Sequence, residues 1–191
     1  MKIQTSDIFE VASSPDNVVC PPTQVFKNKN FVFLLVIGGH MVEDNSEYQR
    51  LMTLLKEIGE SEFTIIENLG ATKADRTKPF IATIPINTSL DYFNKKIYDF
   101  DELFGLLIWH WFVHGQKNTW GIYISEYPTI NIIGCTPELV DKFRDVFKIE
   151  GTGYEQVESF LDKEFSGIRG AEMKYQFLEN YKIKTTPHNK A

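Results

Sequence analysis

Seven consecutive residues without a polar side chain, Phe31-Val-Phe-Leu-Leu-Val-Ile37, run straight into Gly38-Gly39. A run this short, rich in aliphatic and β-branched residues and stopped by a glycine pair, reads as a strand buried on both faces. It is about half the ~20 residues an α-helix needs to cross a bilayer. The other strong apolar run, Leu103 to Val113, is also too short and contains His110. The start, Met-Lys-Ile-Gln-Thr-Ser-Asp, has no apolar signal-peptide core, so a cytoplasmic protein without membrane contact is expected.

Around that strand the chain alternates between patterns. Residues 1–30 read as irregular, punctuated by Ser13-Ser14-Pro15-Asp16 and Cys20-Pro21-Pro22. Ser46 with Gln49 fits a capping box, and Tyr48, Leu51, Met52, Leu55 and Ile58 recur at helical spacing up to Gly59. Phe63 to Asn68 and Pro79 to Ile86 read as strands, with Pro85 placing the second at a sheet edge or bulge. Thr88 or Ser89 caps a short helix from Leu90 to about Lys96. Glu102 to His114, apolar nearly all round, reads as a central buried helix. Trp120 to Glu126 and Thr129 to Ile133 form a hairpin around Tyr127-Pro128. Thr136-Pro137-Glu138 starts a helix, two more follow near 154–165 and 171–181, and 182–191 reads as a loose tail.

No repeat, low-complexity tract or polar linker divides the 191 residues. The expectation is a single α+β domain over 1–191, with a mixed or antiparallel sheet of about five strands packed with about six helices. Fifteen Phe, eight Tyr and three Trp supply a large aromatic core, which needs no metal or disulfide on grounds of size. The two cysteines, Cys20 and Cys135, lie in apolar company and read as free buried thiols, although one bridge between them is conceivable.

Catalytic and cofactor signatures are thin. His110 and His114, four apart, would place two imidazoles on one metal if helical, with Asp101 or Glu126 completing the site and only His40 or His188 left as a third histidine. The segment lacks a Glu of zincin type, and no metal or cofactor is expected. Gly38-Gly39-His40 fits neither dinucleotide nor P-loop spacing and is more simply a turn. A Cys135–His110 pair would need a thiol activated by the following helix N-terminus. No residue is assigned a catalytic role. One alternative remains a small-ligand-binding protein or enzyme with a pocket near 102–114, walled by Trp109, His110, Trp111, His114 and Tyr123. Another is a regulatory interaction module.

Charge points toward protein partners. Twenty-six acids against 20 bases give a formal charge of −6, without the basic face that direct nucleic-acid binding requires. The acids gather at Glu43, Asp44 and Glu47, at Asp99, Asp101 and Glu102, and at Glu155, Glu158 and Asp162. Helix-start electrostatics and solvated faces explain such groups, but they would also suit a basic partner.

The stretch Trp120-Gly-Ile-Tyr-Ile-Ser-Glu-Tyr-Pro-Thr-Ile-Asn-Ile-Ile-Gly134 and the helix after it resemble the small immunity proteins of bacterial polymorphic-toxin systems, including contact-dependent growth inhibition. The likeness covers the whole chain in general character: size, acidity, aromatic richness and absence of a catalytic motif. It carries over no site residues. It implies a cytoplasmic protein that binds one cognate toxin domain, such as a nuclease, and blocks its active site. The partner-binding candidates are then Asp99, Asp101, Glu102, Glu155, Glu158 and Asp162, with Tyr123 and Tyr127 as aromatic anchors.

Overall fold

The computed structural model describes residues 7–10, 19–38, 44–72, 79–98, 110–126, 128–150, 153–165 and 168–181. Its elements are β1 (Val32–Ile37), α1 (Asn45–Glu57), β2 (Glu62–Glu67), the single turn α2 (Leu69–Thr72), β3 (Ile81–Pro85) and α3 (Leu90–Tyr98). They continue with β4 (His110–Gly115), β5 (Trp120–Glu126), β6 (Thr129–Cys135), a 3-10 turn (Pro137–Leu139), α4 (Val140–Phe147), α5 (Tyr154–Glu164) and α6 (Ile168–Tyr181). The fold is α+β, with six strands in the order β1-β6-β5-β4-β2-β3. Every neighbouring pair is antiparallel.

The sixth strand corrects the sequence reading. His110–Gly115 is β4, not the end of a helix, while 102–109 lies outside the described residues. Both faces of β4 are covered: Trp111 and Val113 join one apolar layer, Phe112 the other. A strand covered on both sides is apolar all round, as a buried helix is, so periodicity cannot separate the two. Its aromatic and β-branched content was the strand signal. The start of α1 also differs. Asp44, not Ser46, is the N-cap, its carboxylate accepting from the Ser46 N–H at 2.8 Å and the Glu47 N–H at 3.0 Å.

Two hydrophobic layers sandwich the sheet. On the first face Leu34, Phe63, Ile65 and Ile133 meet α1, α3 and α4 through Leu51, Phe93 and Phe143. On the second face Phe33, Phe112 and Ile132 meet α5 and α6 through Leu161 and Phe177. The described part of the N-terminal 30 residues forms no strand, only a bridge between Phe9 and Phe26, yet both rings are buried in the second layer. The end of α6 holds this segment: the Tyr181 hydroxyl donates to the Thr23 carbonyl at 2.6 Å and accepts from the Val25 N–H at 3.1 Å. Both cysteines are free; Cys135 packs in the first layer and Cys20 against the second, so the sheet separates them.

At one edge, β3 pairs with β2 alone among the described strands and has Pro85 in its last position, which removes a donor from the ladder. At one end of the sheet, Glu60 accepts from the N–H of Gln116 at 3.0 Å and from the Trp120 indole N–H at 3.2 Å, fastening the β4–β5 turn to the end of α1.

Candidate functional site

Two regions concentrate polar chemistry. The first is the end of the sheet opposite Glu60. Glu67, Asn68, His110, Ser125 and Asn131 are all buried there. One rung runs Glu67–Trp111–Ile124–Asn131–Val36 across five strands, and on the next His110 stands opposite Ser125. Buried polar groups are costly unless hydrogen-bonded. Asn68 answers this for His110 and Tyr123. Its backbone N–H donates to the His110 carbonyl at 2.8 Å, and its side-chain amide donates to the Val19 carbonyl at 2.7 Å and to the Tyr123 hydroxyl at 3.1 Å. The Tyr123 hydroxyl also shares a hydrogen bond with His110 Nδ1, 2.9 Å away. Burial pushes His110 down to about 4 and the Tyr123 phenol well above its ordinary value. The chain Val19–Asn68–Tyr123–His110 is therefore a neutral lock between the N-terminal segment and β4, not an acid–base pair open to solvent.

This geometry revises the histidine readings. On a strand, residues four apart share a face but stand ~13 Å apart, at ~3.3 Å per residue. Phe112 lies between His110 and His114, so the two imidazoles do not converge as helical spacing would have them do. Among the described residues no group of three or more His, Cys, Asp and Glu gathers as a metal-binding set. His40, His188, Asp101 and Trp109 lie outside the described residues. Cys135 is in the first layer at the far end of the sheet from His110. Burial pushes its thiol up to about 12, overriding any help from the helix that follows.

The second region is the outer surface of α5 and α6. Glu155, Glu158 and Asp162 are exposed on α5 as their spacing predicted. Lys174 of α6 pairs with Glu158 at 3.7 Å and with Asp162, which holds that part of the acidic stripe in place. On α6 itself Tyr175 is 68% exposed, the most exposed of the large hydrophobic side chains among the described residues. Glu172 and Glu179, three before and four after it, share its side of the helix and are also exposed. Tyr175 was missed in the sequence, although it stands off the apolar stripe of Phe177, Leu178 and Tyr181. Tyr123, read as an anchor, is wholly buried in the lock. Asp99, Asp101, Glu102 and Tyr127 lie outside the described residues.

No protein-family model, curated protein or solved structure matches the chain. No helix among the described residues is long and apolar enough to cross a membrane.

Proposed function

We propose that this chain is an immunity protein, which binds a cognate bacterial toxin domain and blocks its active site from the α5–α6 face. The observation that carries the reading is the exposed Tyr175 between Glu172 and Glu179, beside the acidic stripe of α5. An aromatic ring among acids is the kind of surface that seats in a basic cleft. The ring supplies buried area at low entropic cost, and the carboxylates steer association and select against other partners. A nuclease toxin offers such a cleft because it must hold phosphates. The neutral lock at the sheet end, in which Asn68, His110 and Tyr123 are buried, suits a structural role and so favours recognition over catalysis there.

The test is co-expression of the toxin domain encoded beside this gene, with and without the chain. Cells that carry it should survive and cells that lack it should die. Equal killing in both would refute the immunity reading.

A further inference from the structure

The groove between α1 and α4, of about 510 Å³, contains an arginine whose geometry is held by two hydrogen bonds and whose charge meets no acid among the described residues. Arg50 Nε donates to the carbonyl of Val146 at 2.8 Å, and Nη1 donates to Ser46 Oγ at 2.6 Å. The first bond satisfies one of the carbonyls that the end of α4 leaves without a helical partner. Together they use two of the five N–H donors of the guanidinium and hold its plane in the groove. No acid pairs with Arg50 among the described residues. Lys142, on the opposite wall, is matched by Glu57. What remains is Arg50 as a cation and Asp145 as an anion, both lining the same groove and neither in an ion pair among the described residues.

We propose that this groove is a binding site for a small zwitterionic carboxylate, with the carboxylate on the open side of the Arg50 fork and the cationic group toward Asp145. A pre-oriented guanidinium suits a carboxylate because two parallel N–H donors meet two oxygens, with little side-chain freedom left to lose. The balance of charge selects the rest of the ligand. A dianion such as phosphate would gain from Arg50 but meet repulsion from Asp145 and Glu57. A bare monocarboxylate would leave Asp145 unanswered. A molecule with both charges answers both residues. The free molecule and the same group carried at a peptide end share this chemistry.

The experiment titrates the intact protein with acetate, inorganic phosphate, 4-aminobutyrate and 6-aminohexanoate, following the Arg50 Nε–H resonance by NMR. One of the two amino acids should bind about tenfold tighter than acetate, as expected for a second matched charge, and phosphate should be weakest. Asp145→Asn, at an exposed site, should erase that preference, while acetate binds at least as well as before because a repelling carboxylate is gone. Arg50→Lys, which keeps the charge and loses the fork, should weaken acetate and amino acid alike by about tenfold, read from the backbone amide resonances of Ser46 and Val146 because the variant lacks the Arg50 Nε–H. A peptide ending in the same amino acid, shifting the same resonance, would identify a chain end as an equally good source. An Arg50 resonance unmoved by any probe, phosphate binding tightest, or a preference that survives Asp145→Asn would each overturn the proposal. The last two readouts stand even if Arg50→Lys fails to fold.

Discussion

Gly121 on β5 stands directly opposite Gly134 on β6, and the rings of Phe9 and Phe26 fill the space where their side chains would be. A Cβ at Gly121 would lie 2.6 Å from Phe9 Cζ, and one at Gly134 would lie 2.7 Å from Phe26 Cε1. The two rings are themselves 4.7 Å apart, and Phe9 packs 4.9 Å from Phe112. A glycine pair, which ordinarily weakens a strand, here makes a trough that docks an otherwise irregular segment.

Gly121→Ala and Gly134→Ala should therefore each destabilise the fold by about 1–3 kcal/mol, the usual cost of overpacking a close-packed core. Urea denaturation with an unchanged slope and a lower midpoint checks this. A midpoint equal to wild type would mean that the N-terminal segment does not sit in the trough.

Removing the Tyr181 hydroxyl tests the other anchor of that segment. Tyr181→Phe leaves the Val25 N–H without its buried acceptor and the Thr23 carbonyl without its donor. The expected loss is about 1–3 kcal/mol. Limited proteolysis should then cut near residues 19–25 sooner than in wild type, and an unchanged cleavage pattern would count against the clamp.

His110 gives stability a defined pH dependence. Burial lowers its pKa from 6.5 to about 4, so between those values the unfolded chain binds a proton that the folded chain does not. Stability from this group is thus full above pH 6.5 and is lost as pH falls toward about 4. The loss amounts to no more than about 3 kcal/mol. His110→Gln should flatten the upper part of that window, before carboxylates begin to titrate. An acid slope identical to wild type there would show that His110 is not the group responsible.

Glu60 should matter more than an ordinary surface-turn acid. Glu60→Ala orphans the Gln116 N–H and the buried Trp120 indole N–H, so a loss of about 2–4 kcal/mol is expected. Trp120 fluorescence should shift as its environment opens. A variant with wild-type melting and emission would contradict this role.

Most of the architecture is legible in the chain because its elements carry distinct signals. The run at 31–37 is short and stopped by Gly38-Gly39, Tyr48 to Ile58 recurs at helical spacing, and the two β-branched stretches of 120–133 are joined at Tyr127-Pro128. Pro85 correctly marks β3 as an edge strand. His110–Gly115 defeated the same reading because burial on both faces erases the alternation that distinguishes strand from helix. The acidic stripe of α5 was legible from spacing alone. The lock was not, since Asn68, His110 and Tyr123 meet only through strand register across β2, β4 and β5. Arg50 was equally hidden, because its fixed geometry depends on Val146, 96 residues away.

The most direct measurement of the proposed function is the association rate of the toxin domain with this protein across a range of ionic strength. Wild type should associate quickly at low salt and slow steeply as salt rises. Reversal of Glu172 and Glu179 to Lys should slow association and flatten that dependence. Tyr175→Ala should mainly speed dissociation, at a cost of about 2 kcal/mol or more in affinity. A toxin domain that binds all three proteins with the same rates, at every salt concentration, would contradict the placement of the interface on α5 and α6.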